Sequence, residues 1–188
     1  MKMKFYQSIK FRLMMMTLCV CVFMGGLISF YSIHQSRLSY KRLAWNYMVD
    51  IALAYGRQVE NLLDQGGSLD SGVLEHILMN ANLEGVESSY TYIVDSEGNM
   101  LYHPNKDKIG KSVENVIVKS YIQDLKSGIK HDTYVVEYDY NGSIKYAACY
   151  TDENGRFILV VSADDDDVLR DSASLIVRVT AISLLIGM

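Results

Sequence analysis

Proline occurs once in the 188 residues, at Pro104, and cysteine three times. Cys19 and Cys21 fall inside the longest apolar run, so only Cys149 remains for the rest of the chain, and no structural disulfide is expected. Basic charge is also scarce. A formal charge of -4 and no stripe of Lys and Arg beyond the first residues argue against a nucleic-acid partner, because backbone binding concentrates cations on one surface. Catalytic signatures are missing too: there is no GxSxG, no phosphate loop and no HExxH, and the carboxylate clusters fall in turns. The chain is therefore not expected to be an enzyme, and no cofactor is expected. His103 lacks a His or Cys neighbour at ligand spacing and His131 lies in another segment, so no metal site is expected either.

What the chain has in abundance is apolar sequence. Residues 13–33, LMMMTLCVCVFMGGLISFYSI, carry no charge and are long enough to cross roughly 30 Å of hydrocarbon as a helix. Lys2, Lys4, Lys10 and Arg12 precede the run without an acid among them. The positive-inside rule then places residues 1–12 in the cytoplasm and the chain after His34 outside. A cleaved signal peptide would have a shorter apolar region ending at a small-x-small site, so an uncleaved anchor is the reading adopted. A second apolar stretch, SLIVRVTAISLLIGM, begins at Ser174 and is still hydrophobic at Met188. Residues 172–188 are expected to be the start of a second span that continues beyond this sequence; the alternative is a buried C-terminal helix. The expected location is the cell membrane, crossed more than once, with residues 34–168 as an extracytoplasmic domain.

Within that domain, Trp45, Met48, Ala52, Tyr55, Val59 and Leu62 recur at spacings of three and four, which predicts one long helix. Its seam could face its own domain or a second copy. Gly66 and Gly67 end it, and Asp70 or Ser71 opens a shorter helix to about Asn80. Next comes a hairpin: YTYIVD from Tyr90, the turn SEGN, and an extended segment from Met100 to His103, stopped by Pro104. NKDKIGKS reads as a polar loop, and residues 113–126 return to helical spacing. Three strands follow, 133–140, 144–150 and 157–163, the first two joined through Asn141-Gly142. The sum is an α+β domain with a five-stranded antiparallel sheet covered by the long N-terminal helix.

The stretches YTYIVDSEGNMLYHPNKDKIGKS and YNGSIKYAACYTDENGRFILVVSADDDDVL resemble the Cache family of extracytoplasmic PAS-like sensors, found in bacterial chemoreceptors, sensor histidine kinases and diguanylate cyclases. The resemblance covers roughly residues 35–168 and, with one sheet's worth of sequence, implies the single-module form flanked by two transmembrane helices. It implies a small extracellular ligand, an organic acid, amino acid or amine, bound on the sheet face away from the long helix. It also implies a homodimer, and most often a methyl-accepting chemotaxis output. A kinase or cyclase input domain, or an anchored interaction protein without a small ligand, are the alternatives.

The residues matching the family's ligand region are Tyr90, Tyr92, Tyr102, His103, Tyr134, Lys145, Tyr146 and Tyr150. Lys145, His103 and the tyrosine hydroxyls could donate to a carboxylate, while aromatic walls suit an amine or an apolar ligand body. Strand alternation sets a limit: Lys145 must point opposite to Tyr146 and Tyr150 unless a bulge intervenes. The run Asp164 to Asp167 either serves a helix N-terminus or binds divalent cations near the membrane.

Overall fold

The structure is a computed structural model that describes residues 9–170. The first helix, α1, runs without a break from Ile9 to Asp64 and is long and apolar enough to cross a membrane. The predicted second span lies outside the described residues. The chain divides into two compact units, of which Lys41–Leu169 is the larger. In the other, residues 9–40 of α1 keep large apolar side chains exposed, among them Phe23, Ile28 and Phe30.

The larger unit contains the rest of α1, then α2 (Ser71–Leu78), β1 (Tyr90–Asp95), β2 (Met100–Tyr102), a 3-10 turn at Lys106–Lys108, α3 (Val116–Lys126), β3 (Val135–Tyr140), β4 (Ser143–Thr151), β5 (Phe157–Asp164) and α4 (Asp165–Val168). The five strands form one antiparallel sheet in the order β2-β1-β5-β4-β3. Short hairpins make β1 and β2, β3 and β4, and β4 and β5 neighbours. The pairing of β5 with β1 closes the sheet across the α3 connection.

The two faces carry separate cores. Met48, Ala52 and Val59 of α1 and Leu74 and Leu78 of α2 pack on Ile93, Tyr146, Ala148, Phe157, Leu159 and Val161. Met48, Ala52 and Val59 of the predicted seam thus face the domain's own sheet, while Trp45, Tyr55 and Leu62 are half-buried. Val118, Tyr121 and Ile122 of α3 cover the other face, on Tyr92, Val94, Cys149, Ile158 and Val160. Alternation along β4 and β5 sends successive side chains to opposite cores, which is why both strands are buried almost throughout.

Local chemistry sets the boundaries. Gly66 has φ of 80°, and the bonds from Gly67 N to Leu62 O and Gly66 N to Leu63 O close α1 in a Schellman motif. Asn141 and Gly142, with φ of 56° and 84°, make the turn whose twist suits a two-residue hairpin.

The far end of α1 is tied to the β4–β5 turn. Glu60 accepts from the Tyr150 hydroxyl and, at 2.9 Å, from Glu153 N. Arg156 joins Asp64 to the fully buried Asp152, both at 2.8 Å.

Candidate functional site

A small concavity of about 80 Å³ opens on the α3 face of the sheet. Its residues come from four directions. Tyr90 and Tyr92 stand on β1, Tyr138 and Tyr140 on β3, and Lys145 on β4, all on one side of the pleat. The loop from His103 to Asn115 supplies the rim, with Lys108, Lys111 and Glu114.

A β-bulge decides which residues of the first hairpin reach this site. Met100 pairs with Val94 and Tyr102 with Ile93, leaving Leu101 with no opposite residue. Met100 consequently packs in the α3 core and Tyr102 in the α1 core, although they are two apart in sequence. The chain then brings His103 back to the concavity, where its ring lies 5.2 Å from that of Tyr90 and 5.7 Å from that of Tyr92. His103 Nδ1 accepts from Asn105 N at 2.9 Å, which leaves Nε2 to carry the proton of the neutral ring. Burial, reinforced by the Lys108 ammonium, holds the imidazole below its ordinary 6.5, so it is a neutral N–H donor at pH 7.

The phenols are also kept as donors. Burial raises Tyr92 well above its usual range, and burial pushes Tyr138 up to about 12. Asn115 has two roles here. Its carbonyl oxygen accepts from Ile117 N at 2.9 Å and caps α3, while its amide donates to the Tyr92 hydroxyl at 3.4 Å. The start of α3 and the floor of the concavity are thereby held by one side chain.

Three ammonium groups face the opening. Lys108 is 3.5 Å from Glu114, which also accepts from the Tyr140 hydroxyl at 3.3 Å. Lys145 is 2.6 Å from Asp164 and 5.6 Å from the centre of the Tyr140 ring. Lys111 has no ion-pair partner among the described residues. A site with a surplus of cations and several neutral O–H and N–H donors favours a small anion with some apolar body, and a carboxylate meets that description.

Of the eight residues picked from the sequence, Tyr90, Tyr92, His103 and Lys145 line the concavity together. Tyr102, Tyr146 and Tyr150 do not; they lie on the opposite face, in the α1 core, the last two because β4 alternates and the first because of the bulge. Tyr134 lies elsewhere, near Tyr121 and His131, with ring centres 6.2 and 6.5 Å away. Lys108, Lys111, Asn115, Tyr138 and Tyr140 were missed. Their signals were there: three lysines in KDKIGK, one residue after His103-Pro104, and tyrosines alternating along β3.

The acidic run is engaged by the protein itself. Asp164 holds Lys145, Asp165 accepts from the Tyr146 hydroxyl, and Asp167 accepts from Ser88 N at 2.7 Å. Among the described residues no cluster of three or more His, Cys, Asp or Glu side chains is placed to hold a metal ion.

No family model matches the sequence, and no curated protein matches it. Solved structures do. The sensor domain of DcuS from E. coli is 16% identical, with 68% of this chain covering 90% of that one and a TM-score of 0.39. The ligand-binding domain of Mlp24, solved with asparagine, is 12% identical over 54% of this chain, with a TM-score of 0.40. That of the Pseudomonas fluorescens chemoreceptor CtaA, solved with L-leucine, is 20% identical over 54%, with a TM-score of 0.34. All three are sensor or ligand-binding domains. This chain spans 38% of the Mlp24 domain and 39% of the CtaA domain.

Proposed function

We propose that this chain is the sensory input region of a bacterial transmembrane receptor and not an enzyme. In this reading residues 13–33 anchor it, residues 34–168 lie outside the cell, and a second span begins near Ser174. A small carboxylate ligand, an organic acid or an amino acid, occupies the concavity between the sheet and the loop from His103 to Asn115. The observation that carries the reading is the ammonium of Lys111, which has no ion-pair partner among the described residues, at a pocket shared with His103 and Lys145 and floored by neutral phenols. An anion that enters gains charge-assisted hydrogen bonds from these converging donors. The output is a methyl-accepting signalling hairpin, and the ligand acts through its unequal affinity for two arrangements of the domain.

A thermal-shift screen of the full chain in detergent micelles against organic acids, amino acids and amines tests this. Carboxylates are expected to raise the melting temperature, since a ligand bound only by the folded state stabilises it. Stabilisation by simple amines alone, or by no compound of a broad panel, would sink the proposal.

A further inference from the structure

Asp164 occupies the position on Lys145 that an anionic ligand would need, and this bears on how the site selects and reports its ligand. Of the three lysines at the concavity, Lys145 is the least accessible: its side chain is 16% exposed, against 41% for Lys108. Lys145 and Asp164 are directly opposed across β4 and β5, and their charged groups are 2.6 Å apart. Asp164 is also the N-cap residue of α4, yet its carboxylate makes no capping hydrogen bond. An aspartate in that place ordinarily accepts from the second or third amide of its helix. Here the ion pair with Lys145 takes the carboxylate instead.

We infer that Asp164 is a tethered competitor for the ligand: an entering carboxylate takes the Lys145 ammonium, and the released Asp164 turns to cap α4. The inference rests on the carboxylate reading of the site given above. It makes Lys145 the specificity-determining cation and Asp164 the group that converts occupancy into a change at the end of β5. The exchange conserves the charge pairing of Lys145, so its cost is small. The ring of Tyr140, 5.6 Å from Nζ, offers the ammonium a second attraction during the exchange. The released carboxylate is not left unpaired in the interior, because its side chain is 34% exposed and the α4 amides are adjacent. A neutral or cationic ligand has nothing to offer Lys145 and leaves Asp164 in place. Such a device therefore discriminates by charge and reports only what it has selected.

The test uses the full chain in detergent micelles with succinate, acetate and L-asparagine as probes. Calorimetry of Asp164→Asn is expected to show binding tighter by on the order of tenfold, because the competitor has lost its charge, and Lys145→Met weaker by a similar factor or more. Glu114→Gln removes another negative charge from the rim and serves as the control for a general electrostatic effect. The second readout is the backbone amide of Asp166, followed by NMR. Lys145→Met without any ligand, and the unaltered chain with a bound carboxylate, are expected to shift this signal downfield alike, as a new capping bond would. Glu114→Gln is expected to leave it unmoved. If carboxylates bind the unaltered chain and Asp164→Asn equally well, or if the Asp166 signal ignores both Lys145→Met and ligand, the exchange is refuted while the carboxylate site stands. If no carboxylate binds either protein, the site reading itself fails and the exchange falls with it.

Discussion

Gly56 of α1 lies flat against the ring of Tyr150 on β4: a β-carbon at position 56 would come within 2.2 Å of Cδ1 of that ring. The close approach lets Glu60, one helical turn later, accept from the Tyr150 hydroxyl. Gly56 is a packing glycine, with an ordinary helical backbone. Gly56→Ala is expected to destabilise the chain by about 1–3 kcal/mol through overpacking, read as a lower melting temperature. Gly72→Ala in α2, where the added carbon meets nothing, is the control and is expected to be neutral or mildly stabilising.

Asp152 is fully buried and receives two hydrogen bonds of 2.8 Å from the Arg156 side chain, with a third of 2.9 Å from its backbone amide. Burial alone would raise its carboxyl, but the hydrogen bonds from Arg156 outweigh it and hold the group below its ordinary 3.8. Its contribution to stability is thus present above that value and lost as pH falls through the lower folded value. Asp152→Asn is expected to cost about 1–3 kcal/mol, since it leaves a half-satisfied buried group facing a guanidinium. Chemical denaturation at pH 7 checks this.

His103 has the same sign at higher pH. The unfolded chain takes up a proton on this ring as pH falls through 6.5, whereas the folded chain does so only at lower pH. Between those values the unfolded state binds more protons, so the melting temperature is expected to fall as pH is lowered below 6.5. His103→Gln is expected to flatten that part of the profile.

Asn115 separates structure from recognition. Asn115→Ala removes the α3 cap and is expected to cost about 1 kcal/mol, whereas Asn115→Ser keeps an N-cap oxygen and is expected to cost less. Both lose the bond to Tyr92. If the floor of the concavity matters for the ligand, both variants weaken carboxylate binding, while only the first shows a clear drop in melting temperature.

Lys111 makes no ion pair among the described residues and is exposed, so Lys111→Met is expected to leave the melting temperature nearly unchanged. Carboxylate affinity is expected to fall several-fold, with a shallower dependence on salt. An unchanged affinity would remove Lys111 from the site.

Much of the secondary structure was readable because it rests on short-range chemistry. The strands at Tyr90, Thr133 and Phe157 were expected within two residues of where they lie, and the Asn141-Gly142 turn and the glycine stop after α1 were expected where they occur. Alternation in β4 correctly separated Lys145 from Tyr146 and Tyr150. The site was read less well. Tyr102 was grouped with Tyr90 and Tyr92 in the ligand region, and nothing in MLYHP marks the bulge that turns it away.

The sequence by itself determined the elements: an unbroken apolar helix, its glycine cap, five strands and the turns between them. These follow from helix length, period-two patterning and residues suited to positive φ, all of which act over a few positions. Tertiary structure alone decided that β5 lies beside β1, that Met48, Ala52 and Val59 of α1 are core, and that a loop of lysines closes over the tyrosines of two distant strands. It also decided that Asp164 holds Lys145. Those are contacts between residues far apart in the chain, set by how two apolar faces of one sheet are covered, and no local pattern encodes them.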